Sequence, residues 1–194
     1  MTLRTPLVVV LAGPNGAGKS TSASSLLRGA LAVEEFVNAD TIALGLSAYR
    51  PDAAAVAAGR VMLDRLRFLA RARRDFAFET TLSGRGHARW LASLRETSYR
   101  VHLIFLALPT PDLAVARVKA RVRVGGHDVP ELVVRRRFRA GLLNFFNVYS
   151  SIADAWQMYD NADVGGPRPI AVRSLGGDLT VTDRSAWKRI QEVR

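Results

Sequence analysis

The segment Gly13-Pro14-Asn15-Gly16-Ala17-Gly18-Lys19-Ser20 decides the fold of this chain. It matches the pattern of Gly, four residues, then Gly-Lys followed by Ser or Thr. An apolar, β-branched-rich run at residues 7–12 precedes it, and a helix is predicted after it over residues 19–27. Glycines let backbone N–H groups turn inward around an anion, and the helix N-terminus adds its positive dipole end. A strand before and a helix after argue against a chance match, so the segment predicts a phosphate-binding loop.

The chemistry of such loops gives each residue type a role. The Lys19 ammonium is expected to reach the β- and γ-phosphates of a nucleotide, and the Ser20 hydroxyl is expected to bind Mg²⁺. ATP and Mg²⁺ are therefore the expected cofactors. The predicted nucleotide contacts are Gly13, Pro14, Asn15, Gly16, Ala17, Gly18, Lys19, Ser20 and Thr21. The loop alone does not distinguish kinases from motors, switches or repair ATPases.

The rest of the chain alternates strand-like and helix-like segments. Strands are predicted at residues 7–12, 35–38, 76–78, 100–108 and 170–172. Helices are predicted at residues 19–27, 51–73, 87–96, 111–123, 131–151 and 183–193, and residues 155–159 are interpreted as a helix end. This alternation predicts an α/β fold, a doubly wound, mostly parallel sheet with helices on both faces. We expect one domain over residues 1–194, with a mobile, lid-like segment at about 117–140 around the Gly125-Gly126 break.

Composition excludes several classes of protein. Of 194 residues, 48% are hydrophobic and 23% are charged, and no stretch approaches the roughly 20 apolar residues that a membrane span needs. The apolar N-terminal run lacks a small-residue cleavage site, so it is interpreted as a strand and not as a signal peptide. The absence of cysteine excludes disulfides, zinc–thiolate sites and thiol catalysis. We expect a cytoplasmic protein without membrane association.

The chain is strongly basic, with 28 Lys and Arg against 17 Asp and Glu and a formal net charge of +11. Anionic partners are therefore expected: nucleotide phosphates, nucleic acid or an acidic regulatory protein. Net charge cannot choose among them, and the Arg-for-Lys bias of a GC-rich genome would also explain it.

Two acidic residues stand where an α/β sheet binds ligands, just beyond the carboxyl ends of predicted strands. Asp40 follows the strand at 35–38, and Glu79 follows the strand at 76–78, with Thr81 behind it. A carboxylate there can take a proton from an acceptor hydroxyl or hold Mg²⁺ through water. The alternatives are structural: Asp40 would cap a helix that begins near Thr41, and Glu79 would be a turn residue.

Seven arginines surround the Gly125-Gly126 break. One or two of them could converge on a transferring phosphoryl group, and the others would lie on solvated helix faces. They are Arg117, Arg121, Arg123, Arg135, Arg136, Arg137 and Arg139.

Several motifs in order resemble the zeta-toxin family of P-loop kinases. They are the segments at 13–21, 38–40, 78–84, 123–130 with 135–138, and 156–161. Toxins of that family phosphorylate the 3′-hydroxyl of UDP-N-acetylglucosamine, and many are held inactive by a small antitoxin. The resemblance implies a kinase with a small-molecule acceptor and a possible small acidic antitoxin partner.

By position, the resemblance implies a role for each matching residue. Lys19 would bind ATP phosphates, Asp40 would be the catalytic base, and Glu79 and Thr81 would contact the acceptor. Arg123 and Arg136 would clamp the phosphates from the lid. Two alternatives stay open: a kinase of a nucleic-acid end or another metabolite, and a nucleotide-binding toxin–antitoxin component with little turnover. Nucleic acid ranks lower because the sequence lacks aromatic clusters for base stacking.

Overall fold

A computed structural model describes residues 4–29, 31–163 and 165–193. Within these residues a sheet of seven strands has the order β2-β3-β1-β4-β5-β6-β7. The strands are β1 (Leu7–Ala12), β2 (Phe36–Val37), β3 (Phe76–Thr80), β4 (Arg100–Ala107), β5 (Ala155–Asp160), β6 (Arg168–Arg173) and β7 (Leu179–Val181). The first five strands in that order are mutually parallel, while β6 and β7 pair antiparallel at one edge. The predicted α/β class is confirmed.

Helices follow most of the strands. They are α1 (Lys19–Arg28), α2 (Ala39–Leu46), α3 (Ala55–Arg71), α4 (Ala88–Glu96), α5 (Pro111–Arg123), α6 (Glu131–Asn144), α7 (Ser150–Ile152) and α8 (Arg184–Glu192). A 3₁₀ turn at Pro51–Ala54 precedes α3, so the helix predicted at 51–73 begins as a tighter turn. A π-helical stretch at Phe145–Tyr149 interrupts the helix predicted at 131–151. No helix in the described part of the chain combines the length and the apolar character that crossing a membrane would require.

The core lies along the central strands. Val8, Val9, Val10 and Leu11 of β1 are fully buried, as expected for a parallel strand covered on both faces. The neighbouring β4 is equally apolar from Leu103 to Ala107. This packing fixes the carboxyl end of β1 at the centre of the sheet edge, where the phosphate-binding loop begins.

The helix end predicted at residues 155–159 is wrong. These residues form β5, which pairs parallel with β4. Trp156, Met158 and Asp160 are buried and alternate with half-buried neighbours, which is the two-residue period of a strand and not of a helix. Strand β7 was not predicted.

Candidate functional site

The phosphate-binding loop joins β1 to α1 as predicted. Its glycines Gly13, Gly16 and Gly18 have φ values of 142°, 77° and 76°, a region that side chains rarely adopt. A Cβ on Gly13 would lie 2.3 Å from the carbonyl oxygen of Leu106, and one on Gly18 would lie 2.7 Å from Nδ2 of Asn161. Both backbone geometry and close packing therefore require glycine at these positions.

Lys19, the first residue of α1, is 6% exposed. Its ammonium donates hydrogen bonds of 2.9 Å to the carbonyl oxygens of Gly13 and Pro14, and its Nζ lies 3.6 Å from Oε1 of Glu79. Burial lowers the pKa of Lys19, and the carboxylates of Glu79 and Asp40 oppose that shift. The structure thus brings three predicted site residues, Lys19, Glu79 and Asp40, into one electrostatic cluster.

Oxygen atoms that can bind a metal ion come from α1 and β3 and meet beside Lys19. The Ser20 hydroxyl donates a 2.7 Å hydrogen bond to Oε2 of Glu79, and the Asn38 amide donates a 2.8 Å bond to the same oxygen. Hydroxyl and carboxylate oxygens are the ligands that Mg²⁺ prefers, and the ion commonly takes its remaining ligands from phosphates and water. Among the described residues no group of three His, Asp or Glu side chains gathers as a metal site. The donor set of Ser20 and Glu79 therefore fits a magnesium ion shared with a nucleotide.

Asp40 is the second residue of α2 and is exposed. The cap of this helix is Asn38, whose side-chain oxygen accepts hydrogen bonds from the backbone N–H groups of Asp40 and Thr41. The alternative that Asp40 itself caps the helix is wrong, because Asn38 already satisfies these donors. Asn38 also bonds Glu79, so one amide sets the relative placement of the two acidic residues.

Thr81 follows β3, two residues after Glu79, and its hydroxyl lies 2.9 Å from that of Ser83. Thr21, a predicted nucleotide contact, is exposed on α1. Thr21 lies two residues after Lys19 on α1, and Thr80, which precedes Thr81, pairs with Ala12 at the end of β1. Both predicted residues thus lie at the sheet edge where the phosphate-binding loop begins.

Three of the seven candidate arginines contact the phosphate-binding loop or lie near Lys19, and they do not include the two that the family resemblance implies as clamps. Arg117 donates to the carbonyl oxygens of Asn161 (2.7 Å) and Gly16 (3.4 Å). Arg137 donates a 3.4 Å bond to Oδ1 of Asn15. Arg121 is close enough to Lys19 for its charge to contribute to lowering the pKa of that lysine.

Arg123 and Arg136 are exposed, and no hydrogen bond or ion pair within the described residues joins either of them to the loop. Their clamp role stays a prediction. Helical spacing in the sequence favours Arg117 and Arg121 as the arginines that face the protein interior. They are four residues apart and lie on the same side of α5 as buried Ala114 and Val118.

Residues 124–130 connect α5 to α6. Arg121 donates a 2.7 Å hydrogen bond to the carbonyl oxygen of His127, and the imidazole of His127 contacts the carboxylate of Asp52 in the 3₁₀ turn. The connection thus reaches from the α5–α6 pair to the segment that follows α2. That the region moves as a lid stays a prediction.

The model of the AAA domain family matches residues 8–145, which run from β1 to the end of α6. The chain belongs to the AAA domain family. The matched residues include the phosphate-binding loop, Asp40, Glu79 and the α5–α6 pair. An uncharacterized protein of Haemophilus influenzae (strain ATCC 51907 / DSM 11121 / KW20 / Rd) is 32% identical over 126 residues, 65% of this chain and 88% of that protein.

Solved structures share the fold of this AAA domain protein. A chain of the AvrRxo1-ORF1:AvrRxo1-ORF2 complex with sulphate ions superimposes with a TM-score of 0.76 at 16% identity, covering 100% of this chain and 65% of that chain. The same complex with ATP gives 0.74 at 17% identity, covering 98% and 64%. A chain from the structure of the PezAT chromosomal toxin-antitoxin system of Streptococcus pneumoniae superimposes with a TM-score of 0.65 at 14% identity, covering 100% of this chain and 89% of that chain. This chain therefore spans just under two thirds of the AvrRxo1 complex chain.

These likenesses confirm the P-loop kinase-like fold and, at the level of the fold, the resemblance to the zeta-toxin family. The loop at 13–20 lies within the residues that match the AAA domain family, in a fold shared with a structure solved with ATP.

Proposed function

We propose that this protein transfers the γ-phosphoryl group of ATP to a hydroxyl of a small acceptor. The observation that carries the proposal is the cluster at the sheet edge, where Lys19 and Ser20 of the phosphate-binding loop meet Glu79 within hydrogen-bonding or ion-pair distance. A related fold solved with ATP supports this choice of nucleotide.

Each group has a defined task in this proposal. The backbone N–H groups of residues 13 and 15–21 and the Lys19 ammonium hold the triphosphate. Mg²⁺, held by Ser20 and Glu79, would neutralise charge on the β- and γ-phosphates. Arg121, Arg137, Arg123 and Arg136 are the candidate cations for the charge that spreads over the transferred group.

The acceptor side is assigned to Asp40, Glu79 and Thr81. Asp40 takes the proton from the acceptor hydroxyl as its oxygen bonds the γ-phosphorus and the bond from the γ-phosphorus to the β–γ bridging oxygen breaks, releasing ADP. Glu79 and Thr81 hold the acceptor. The exposed carboxylate of Asp40, free of a capping role, supports its assignment as the base. The sugar nucleotide UDP-N-acetylglucosamine is our first choice of acceptor, on the resemblance to zeta toxins.

A small acidic antitoxin is the proposed protein partner. Two of the similar structures are of AvrRxo1-ORF1 with AvrRxo1-ORF2 and of the PezAT toxin-antitoxin system. A net charge of +11 complements an acidic partner. A small acidic helical protein encoded beside this one would support the idea. A cytoplasmic location fits a chain without cysteine.

The test is a mass measurement. Purified protein with ATP, Mg²⁺ and a panel of sugar nucleotides, sugars and nucleosides should add the mass of one phosphate group to at least one acceptor. Asp40→Ala should abolish that transfer while ATP binding stays within about twofold, because Asp40 is not part of the phosphate-binding loop. Near-normal turnover by Asp40→Ala would show that the base is another group, and no affinity for ATP with Mg²⁺ would remove the whole proposal.

A further inference from the structure

Residues 81–87 form the loop between β3 and α4. Side chains from the end of α6 and from the π-helical stretch at Phe145–Tyr149 hydrogen-bond to its backbone. Nδ2 of Asn144 donates a 2.8 Å hydrogen bond to the carbonyl oxygen of Leu82, and the Tyr149 hydroxyl donates a 2.8 Å bond to that of Gly84. Asn144 is 7% exposed and Tyr149 is 2% exposed, so the bond to Leu82 is buried and the bond to Gly84 is partly buried. We call residues 81–87 the post-β3 loop.

Leu82 in this loop has a φ of 53°, in the left-handed region that a leucine rarely adopts. Its side chain is buried, and its N–H donates to the Thr80 hydroxyl at 3.1 Å. Left-handed backbone at a residue with a Cβ is strained and persists where the surrounding structure imposes it, often beside a ligand. The fold thus keeps a strained loop directly after Glu79.

Arg85 projects from the post-β3 loop and is exposed. Its Nε donates a 3.1 Å hydrogen bond to Oδ1 of Asn144, so the buried amide fixes both the loop backbone and the guanidinium. Within the described residues the terminal nitrogens of Arg85 have no hydrogen-bond or ion-pair partner. A guanidinium anchored through Nε presents a planar fork that suits two oxygens of a phosphate or carboxylate.

One face of α6 contacts both the phosphate-binding loop and Arg85, and so sets the distance between them. Arg137 contacts Asn15 of the phosphate-binding loop, Gly141 lies against the carbonyl oxygen of Thr81, and Asn144 bonds Arg85. These α6 positions are spaced by four and three residues, so they share a face. At 1.5 Å per residue, the contacts at positions 137 and 144 are about 10 Å apart along the helix axis. Thr81, the predicted acceptor contact, lies between them.

We propose that Arg85 binds an anionic group of the acceptor and that Asn144 positions it. The acceptor is then a hydroxyl compound that carries its own phosphate or diphosphate, with the reacting hydroxyl towards Asp40 and the anion at the post-β3 loop. This inference rests on the proposed function, because it gives the acceptor site of the same kinase its selectivity.

The test uses equilibrium binding to protein whose nucleotide site is already filled. Wild-type protein is saturated with a non-hydrolysable ATP analogue and Mg²⁺, then titrated calorimetrically with N-acetylglucosamine, its 1-phosphate and UDP-N-acetylglucosamine. The phosphorylated compounds should bind at least tenfold more tightly than the free sugar. Arg85→Gln should remove that preference, and Arg85→Lys should restore part of it. Arg89→Gln, an exposed arginine four residues further on, should keep it.

Asn144→Ala tests the positioning role. It should weaken binding of the phosphorylated compounds and leave the free sugar unaffected, which a general loss of folding would not do. The proposal is overturned if the wild-type protein shows no preference for phosphorylated compounds, or if Arg85→Gln retains it. Failure to bind the ATP analogue in the first step would instead contradict the proposed function.

Discussion

At the scale of single residues, Glu79 joins the phosphate-binding loop to β2 and β3 through contacts with both of its carboxylate oxygens. One carboxylate oxygen accepts from Ser20 and Asn38, and the other lies 3.6 Å from the Lys19 ammonium. Glu79→Gln keeps the size and one acceptor oxygen but removes the negative charge. We expect turnover to fall tenfold or more, and the Mg²⁺ concentration for half-maximal turnover to rise about tenfold, since a carboxylate binds the ion more strongly than an amide.

The measurement is phosphoryl transfer against a magnesium titration at saturating ATP. Glu35→Gln is the matched control, because that carboxylate pairs with Arg65 beside the opposite end of β2. An unchanged magnesium dependence in Glu79→Gln would show that Glu79 does not hold the ion.

At the scale of elements, α6 packs closely on the post-β3 loop at Gly141. A Cβ there would lie 2.5 Å from the backbone carbonyl oxygen of Thr81, which cannot move aside as a flexible side chain would. Gly141→Ala should lower the free energy of unfolding by about 1–2 kcal/mol, because overpacking outweighs the better helix propensity of alanine.

Gly59→Ala is the contrasting variant. Gly59 lies inside α3 with nothing within 4 Å of the added Cβ, so stability should rise by up to about 1 kcal/mol. Urea unfolding of both variants measures the difference. A Gly141→Ala protein as stable as Gly59→Ala would mean that the contact between α6 and the loop is loose.

The elements also show how far sequence reasoning reaches. The phosphate-binding loop has a local signature, so its strand and helix were predicted to within a residue or two. Residues 155–160 have a local signature as well, the alternation of Trp156, Met158 and Asp160. They follow a long predicted helix without a Gly or Pro break, so the sequence pattern favours a helix end over the strand that the structure shows. Which arginines face the loop depends on how α5 and α6 pack against it, a long-range arrangement that charge alone does not encode.

At the scale of the whole molecule, the site depends on strands that are far apart in sequence. The phosphate-binding loop, Asn38 and Asn161 follow β1, β2 and β5, and Glu79 is the second-last residue of β3. Parallel pairing brings the ends of these strands to one edge. Unfolding of the sheet therefore separates the site residues from one another. Conditions that destabilise the sheet should remove nucleotide binding together with the fold.

Acidic pH is such a condition, because two half-buried histidines pack against the sheet. The His87 ring is tilted against that of Phe78 with 5.0 Å between ring centroids, and His102 lies on β4. Burial lowers the pKa of both below the ordinary value of 6.5, and for His102 the neighbouring Gln157 side chain opposes this shift. As pH falls through about 6.5 the unfolded chain binds protons that the folded chain does not yet bind, so the free energy of unfolding decreases.

Urea unfolding at pH 7.5 and 5.0 measures this loss. His87→Gln and His102→Gln should each lose less stability between the two pH values than the wild type, whatever their stability at pH 7.5, because glutamine takes up no proton. Gln191→Ala, an exposed change on α8, should lose as much as the wild type. If both histidine variants lost as much as the wild type, protonation of carboxylates alone would explain the acid sensitivity, and neither imidazole would be held in its neutral form by the fold.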